Sequence, residues 1–401
     1  MYTQQKQLPF LFCEYRFFFG KRFINFKKMA KKFASRIENI EISGIRKAFE
    51  ALSGDFFNLG LGEPDFDTPE HVKIAAMQAL KSGFTSYTSN KGIEELRDAI
   101  SAKLYRDNDL TFSPDEMIVT SGASEALHIA IHSIVDRGDE VLIPNPGFVS
   151  FAALTELAEG KPIGVPLSDD FSISEEAVKE RITAKTNALI INSPANPTGA
   201  VESEENIKAL VEIAHDHHLT IISDEVYERL IYDDLKHISP ARFSDDVITV
   251  NAVSKTYAMT GFRLGYVVAR SEYTEQMLKV HQYVQACASS LSQKAALAAI
   301  AGPQDCVVDM RSEFKRRRDF AINALHDMGM KFNIPKGAFY LFPRVSDEHE
   351  FVESLKRKRV IVTSGSTFGS RGKDHVRISY ATSLAKLKHA FEIMKEVVKG
   401  A

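Results

Sequence analysis

Cysteine is scarce in this chain of 401 residues, which carries only Cys13, Cys287 and Cys306. The three are scattered, and no two of them have the paired spacing of a disulfide framework or of a thiolate metal site. Such usage is typical of a reducing compartment, so we expect a cytoplasmic location.

A surplus of either charge is absent as well. The 50 basic residues nearly balance the 53 acidic ones, which gives a net charge of -3. Binding to nucleic acid or to an anionic membrane usually requires a basic surface, and the composition argues against both partners. The densest histidine cluster matches no known metal motif, and we interpret it as the polar end of a helix. Its residues are His215, Asp216, His217 and His218.

Long apolar runs are also missing, since a membrane-spanning helix needs about 20 such residues. The most apolar stretch, residues 8–26, is broken by Arg16, Lys21 and Arg22. It lacks the clean apolar core and the small-residue cleavage site of a secretory signal. A transit peptide is an alternative, because Glu14 is the only acid in this segment.

The first 28 residues differ from the rest of the chain. Our preferred hypothesis is that Met29 is the natural start and that residues 1–28 are an atypical extension. From Ile37 onward the composition is even, with no low-complexity segment, charge block or internal repeat. The apolar fraction of 44% and the charged fraction of 26% are ordinary for a soluble globular protein. The length predicts two or three domains, at about 150 residues each.

Beta-rich runs alternate with helical runs, which predicts an α/β fold with a mostly parallel sheet flanked by helices. Runs at 336–343, 360–363 and 376–380 predict strands of a smaller domain. Several turns that follow predicted strands carry small or polar residues. Ligands of open α/β sheets bind outside the carboxyl ends of the strands, so we predict one shared ligand site. These turns lie near residues 121, 148, 196, 224 and 255.

The turn at residues 121–124, Ser-Gly-Ala-Ser, precedes a predicted helix over 125–135. Unpaired amides at a helix start attract anions, and the helix dipole adds about 0.3 to 1 kcal/mol. This turn is therefore a candidate phosphate site. A plain strand-to-helix turn capped by serine explains the same residues equally well.

Lys255 follows a predicted strand over 247–250 and has small or apolar neighbours. Burial and the nearby cation Arg263 would both disfavour the ammonium form of this lysine. A neutral amine is a nucleophile towards carbonyl groups. The ordinary alternative is a solvated lysine beside a surface arginine.

The run 252–265 resembles the cofactor-lysine signature of class I and II aminotransferases, which carry pyridoxal phosphate covalently on that lysine. The resemblance covers nearly all of the chain after Ile37, and its motifs occur in the family order. It departs at Ala252, where the family usually has serine or glycine, so a phosphate contact from Ser254 is a weaker expectation.

The resemblance implies the fold of type I pyridoxal-phosphate enzymes. We expect a large cofactor-binding domain over residues 61–295 and a smaller α+β domain built from both chain ends. The smaller domain would comprise residues 29–60 and 296–401.

Roles for individual residues follow from the resemblance. It implies catalytic roles for Lys255, Asp224 and Tyr227, with Asp224 paired to the ring nitrogen. The cofactor-binding set would be Gly122, Ala123, Ser124, Phe148, Asn196, Asp224, Tyr227, Ser254, Lys255 and Arg263, with Tyr87 reaching across from a second subunit. That reach of Tyr87 implies a homodimer with shared active sites. No metal is expected.

The resemblance also implies substrate binding by Gly62, Asn196 and Arg377. Arg377 would bind the α-carboxylate of the substrate. The implied reaction moves an amino group from an L-amino acid, aspartate or an aromatic one above all, to 2-oxoglutarate by a ping-pong cycle. Segments 147–150, 223–227 and 336–340 resemble the aspartate and aromatic aminotransferase branch.

Two other functions use the same scaffold. Lyases and synthases share the chemistry, and product analysis would distinguish them. A non-enzymatic regulator would carry a DNA-binding domain first, but fewer than 40 residues precede the match and they show no helix-turn-helix pattern.

Overall fold

The computed structural model describes residues 33–38, 40 and 56–400 of the chain. The predicted extension over residues 1–28, the proposed start at Met29 and most of residues 29–60 lie outside this part. Within it, no helix is both long enough and apolar enough to cross a membrane.

The strands are short and spread along the whole described chain. Their bounds are β1 (Phe57–Asn58), β2 (Met117–Thr120), β3 (Glu140–Asn145), β4 (Lys161–Pro166), β5 (Thr186–Asn192), β6 (Thr220–Asp224), β7 (Val247–Ala252), β8 (Gly265–Val268), β9 (Tyr340–Leu341), β10 (Val360–Ile361), β11 (Thr363–Ser364) and β12 (Val376–Ser379).

Helices alternate with these strands. Their bounds are α1 (Ser35–Glu38), α2 (Glu70–Lys81), α3 (Glu94–Asn108), α4 (Ala123–Ile134), α5 (Val149–Leu157), α6 (Glu175–Lys179), α7 (Glu204–Asp216), α8 (Val253–Thr256), α9 (Ser271–Val284), α10 (Ser290–Ala301), α11 (Asp305–Asp327), α12 (Glu348–Arg357) and α13 (Leu384–Gly400). Helix α7 ends at Asp216, and the side chains of His215 and Asp216 are 78% and 67% exposed. The predicted polar helix end is confirmed.

The largest sheet has seven strands in the order β2-β8-β7-β6-β5-β3-β4. Strand β8 runs antiparallel to both of its neighbours, whereas the pairs from β7 to β4 are parallel. The predicted α/β class with a mostly parallel sheet is confirmed. The short antiparallel strand β8 was not predicted.

Helices cover both faces of this sheet, which is why its central strands are apolar throughout. Successive side chains of a strand point to opposite faces. Accordingly Ile221 of β6 packs in the cluster of Leu210 from α7, and the next residue, Ile222, packs with Ile129 from α4. This double burial fixes the strand that ends at Asp224.

Two smaller sheets lie outside the large one. Strand β1 pairs with β10, and the order β11-β12-β9 forms an antiparallel sheet. One apolar core joins Leu59 from near the start of the described chain to Phe314, Ile378 and Phe391 from its last third. These contacts support a smaller domain from both chain ends. The division into domains stays a prediction. Because α10 crosses the predicted boundary after residue 295, we propose the boundary between α10 and α11.

The predicted strand over residues 336–343 is wrong in extent, since only Tyr340 and Leu341 form a strand, and Gly337 makes an isolated bridge to Ile231. The amides of Lys336 and Gly337 both donate to Gly199 O, and Ala338 has φ +54°. A left-handed residue breaks a strand, so the first half of this run forms a turn against the loop at residue 199.

Candidate active site

The predicted ligand turns lie at one edge of the large sheet. The strand register pairs Asn192 with Asp224, and it pairs Gly265 with both Ala252 and Thr120. The turns that follow β2, β5, β6 and β7 are therefore neighbours in space.

Lys255 lies on α8, a single helical turn directly after β7. Its Nζ donates a hydrogen bond to Gly62 O at 2.6 Å. Burial lowers the pKa of Lys255 to about 8. The positive charges of Arg377 and Arg263 also lower this pKa, whereas the negative charge of Glu63 raises it. The amine thus titrates close to neutrality, as a nucleophile or general base must.

The turn before α4 and the side chain of Arg263 are in contact. Gly122 has φ +81°, and a Cβ there would lie 2.7 Å from an Arg263 guanidinium nitrogen. A Cβ on Gly265 would lie 2.7 Å from the Ala123 amide nitrogen. Both glycines therefore permit a close approach that other residues would block. The guanidinium of Arg263 and the backbone amides at the start of α4 together form a site that can bind an anion.

Asp224 is the last residue of β6 and is 4% exposed. Its Oδ1 accepts a hydrogen bond from Val226 N at 3.3 Å, and no basic side chain in the described residues forms an ion pair with it. Burial, with the charge of Glu225 adding to it, raises the pKa of Asp224 to about 7. A cation against this carboxyl group would restore its ionised form.

Arg377 in β12 is 1% exposed. Its NH1 donates to Asn196 Oδ1 at 2.9 Å and its NH2 to Gly60 O at 2.5 Å, while Nε has no partner among the described residues. The guanidinium lies over the rings of Tyr340 and Phe368, at 4.5 and 4.8 Å. Burial lowers the pKa of this arginine, and no acid pairs with it in the part of the chain that the structure describes. A buried guanidinium with neutral acceptors alone is well suited to bind a carboxylate.

Tyr227 and Tyr340 share a hydrogen bond of 2.8 Å between their hydroxyl groups. A Cβ on Gly62 would lie 2.0 Å from the Tyr340 hydroxyl, so this ring fills the space beside Gly62. Burial raises the pKa of Tyr227 well above its usual value, which keeps the hydroxyl protonated. Sequence reasoning missed Tyr340, because an aromatic residue in a strand usually indicates a core position.

Asn192 was also missed. Its Nδ2 donates to Asp224 O at 3.0 Å, and its Oδ1 accepts from Asn196 N at 2.9 Å. It thereby joins two of the predicted turns. Its place at the end of a buried strand was the one available signal.

The remaining predicted residues differ in placement. Phe148 precedes α5 beside Gly147, whose amide donates to Phe368 O at 2.9 Å. Ser254 is buried next to Lys255, whereas Ser124 on the first turn of α4 is exposed. Tyr87 is 89% exposed and has no part in the hydrogen bonds of this site within one chain.

Comparison with known proteins identifies the family of this chain. A family model described as aminotransferase class I and II matches residues 54–394. A protein of Methanocaldococcus jannaschii named a probable aspartate aminotransferase is 50% identical over 373 residues, which cover 91% of this chain and 99% of that protein. The aspartate aminotransferase of Pyrococcus abyssi is 43% identical over 381 residues, covering 91% and 98%. The crystal structure of the aromatic aminotransferase from Pyrococcus horikoshii aligns with a TM-score of 0.84 at 44% identity, covering 89% and 99%. This chain therefore belongs to the aminotransferase class I and II family.

Proposed function

We propose that this chain is a pyridoxal-phosphate-dependent aminotransferase that moves an amino group from an L-amino acid to 2-oxoglutarate. The observation that carries the proposal is the grouping of the Lys255 amine and the Asp224 carboxyl group at one edge of the large sheet with the Arg377 guanidinium, which reaches Asn196 from β12. The names of similar proteins, which include aspartate and aromatic aminotransferases, support these two classes of amino acid as donors. The scattered cysteines support a cytoplasmic location.

The residues present fit the cofactor at three points. The close contact of Arg263 with Gly122 suits the phosphate group. The buried, unpaired Asp224 suits a protonated ring nitrogen, and the depressed pKa of Lys255 suits an amine that reacts with an aldehyde. Members of this family use pyridoxal phosphate, and its phosphate, ring nitrogen and aldehyde each have a complementary partner here.

Pyridoxal phosphate, when bound, supplies an aldehyde carbon that reacts with amines and a ring that accepts electron density. Lys255 would hold the cofactor through Nζ until an incoming amino acid releases that amine. Once free, Nζ would act as the base that removes the proton from the substrate α-carbon. Asp224 would hold a proton on the ring nitrogen through a charge-assisted hydrogen bond.

Asn196 links the cofactor side of the site to the substrate side. Its Oδ1 accepts a hydrogen bond from Arg377 NH1, which leaves Nδ2 as the donor group of this amide. We assign Asn196 Nδ2 and the Tyr227 hydroxyl to the phenolic oxygen of the cofactor. Arg377 would then bind the α-carboxylate common to both substrates, with Gly62 alongside.

Substitution of Arg377 by alanine is expected to raise KM for the amino acid and for the 2-oxo acid. Loss of one partner of a buried, hydrogen-bonded charge pair costs about 2 to 5 kcal/mol, so each KM should rise at least about thirtyfold. Steady-state kinetics with both substrates varied gives the two constants. Arg377→Lys keeps the positive charge but loses the planar guanidinium, so its KM values should lie between those of the unmodified protein and of Arg377→Ala. An effect on one substrate alone would show that Arg377 does not bind the shared carboxylate.

The rate at which cofactor-free protein captures pyridoxal phosphate is expected to rise with pH through about pH 8. The pKa of Lys255 is lowered to about 8, and only the neutral amine attacks a carbonyl, so capture is slow below that pH and levels off above it. Stopped-flow absorbance across pH 6 to 10 measures the profile. A midpoint near the ordinary lysine pKa of about 10.4 would contradict it.

We also propose a homodimer with shared active sites. Exposed apolar residues at helical spacing, Ile74, Met77 and Leu80, line one side of α2, at 41%, 50% and 59% exposure. Tyr87 follows shortly after this helix. A second copy of the chain would cover both features.

Met77→Asp is expected to yield inactive monomers because it places a charge in that interface. Sedimentation velocity with activity assays measures both effects. Ile334→Asp is the matched control, since Ile334 is 55% exposed elsewhere in the chain. A dimeric, active Met77→Asp protein would exclude this face.

The function itself is tested by adding pyridoxal phosphate to purified protein. A near-visible absorption band and borohydride labelling of Lys255 are expected. A panel of amino acids with 2-oxoglutarate should then give ping-pong kinetics, with glutamate formed in step with the 2-oxo acid. Release of ammonia without glutamate would indicate a lyase instead.

A further inference from the structure

A buried pair of side chains, Glu125 and His281, lies behind the turn that would bind the cofactor phosphate. Glu125 is in the first turn of α4 and is 8% exposed, and His281 comes from α9 and is 0% exposed. Glu125 Oε1 and His281 Nδ1 are 2.7 Å apart. Neither residue has a part in the chemistry proposed above.

The same carboxylate holds the backbone of the turn. Its second oxygen, Oε2, accepts a hydrogen bond from the amide of Ser121. From β2, the Thr120 hydroxyl donates to Gly122 O at 3.0 Å. The backbone before α4 is thus bound on both sides of Gly122, the residue that contacts Arg263.

A carboxylate close to an anion site repels the anion, so the position of Glu125 is unfavourable for phosphate binding by itself. Its contact with His281 accounts for this position. The Nε2 atom of the fully buried His281 ring has no hydrogen-bond partner in the described residues, so the contact with Glu125 is what compensates the burial of this imidazole. Glu125 is thus bound through both oxygens, one to His281 and the other to the Ser121 amide.

We propose that Glu125 and His281 are positioning residues for the phosphate-binding turn. Glu125 fixes the Ser121 amide, and this keeps the amides at the start of α4 and the Arg263 guanidinium in register for a phosphate group. His281 fixes the carboxylate. The inference rests on the proposed function, since it takes the cofactor phosphate as the anion.

Glu125→Ala and Glu125→Gln separate this role from a merely structural one. Glutamine can still accept from the Ser121 amide through its oxygen and can donate through its amide nitrogen to His281 Nδ1 in the other neutral tautomer of the ring, whereas alanine can do neither. Titration calorimetry on the cofactor-free, full-length protein measures the dissociation constants of inorganic phosphate and of pyridoxal phosphate. Alanine is expected to raise both at least tenfold, about 1.4 kcal/mol. Glutamine should raise them less than threefold, and His281→Asn, which leaves the Ser121 bond, at least threefold.

A second buried pair supplies the control. Glu225 Oε2 and His237 Nε2 are 2.8 Å apart, and His237 Nδ1 also lacks a partner within the described part of the chain. The side chain of Glu225 accepts hydrogen bonds from the hydroxyl groups of Ser223 and Ser239, which lie outside the phosphate turn. His237→Asn should lower the melting temperature and leave the phosphate constant within threefold.

The outcomes can be told apart. Three results would each overturn the positioning role. The affinity for phosphate could be unchanged in Glu125→Ala, it could fall equally in Glu125→Ala and Glu125→Gln, or it could fall as much in His237→Asn as in Glu125→Ala. If the unmodified protein binds neither phosphate nor pyridoxal phosphate, the proposed function fails with it. If the unmodified protein binds both and Glu125→Ala binds them equally well, only the positioning role fails.

Discussion

Replacement of Lys255 by alanine is expected to lower amino transfer at least about 10⁴-fold, because the side chain is both the nucleophile and the base of the proposed cycle. The contacts of Arg263, Asp224 and the α4 turn are untouched, so the variant should still bind pyridoxal phosphate non-covalently. Single-turnover absorbance and steady-state assays measure the loss, and calorimetry measures the retained binding.

An exposed lysine of the same chain, Lys236, is the control, and Lys236→Ala should keep full activity. Borohydride treatment provides a second readout, since the alanine variant should acquire no label at position 255. Steady-state turnover within tenfold of the unmodified protein would remove Lys255 from the mechanism.

Asp224→Ala is the second substitution with a large expected effect. Removal of one partner from a buried ion pair costs about 3 to 5 kcal/mol, which corresponds to about 10² to 10⁴ in rate. The loss should appear in kcat, because the protonated ring nitrogen matters most as the α-proton leaves. Asp216, a 67% exposed acid at the end of α7, provides the control Asp216→Ala. A loss below tenfold would mean that another group holds the ring proton.

Substitution of Asp224 is expected to change stability in the opposite direction to activity. Its pKa in the folded, cofactor-free protein is raised to about 7, so the folded state binds the proton more tightly than the unfolded state does. The contribution of Asp224 to the free energy of unfolding therefore falls as the pH rises from about 4 to 7 and stays low above that. Asp224→Asn should accordingly raise the melting temperature of the cofactor-free protein at pH 8 while it lowers activity. A functional group held at a cost in stability has this signature.

Much of the fold could be predicted because its signals are local. The predicted strand over residues 247–250 forms the first four residues of β7, and the predicted helix over 125–135 overlaps α4. Strand β8 was missed because its short run gives no sign of its direction. The turn at residues 336–338 was missed because its hydrogen bonds go to Gly199, far away in the sequence.

The candidate site was predicted unevenly for the same reason. Residues at strand ends could be found, since turn chemistry and family motifs identify them one at a time. Tyr340, Glu125 and His281 could not, because an aromatic residue in a strand, an acid in a helix and a histidine among apolar residues each suit an ordinary helix or strand position. Their importance depends on which side chain lies opposite.

The sequence by itself determined the order of helices and strands and the residue types that end each strand. Periodicity, glycine and proline act over a few neighbouring residues, so these features need no knowledge of packing. Only the tertiary structure decided that Arg377 bonds Asn196 across 181 positions and that Glu125 meets His281 across 156. Such pairs form because the packed cores bring distant segments together, and burial then sets the charge of each group.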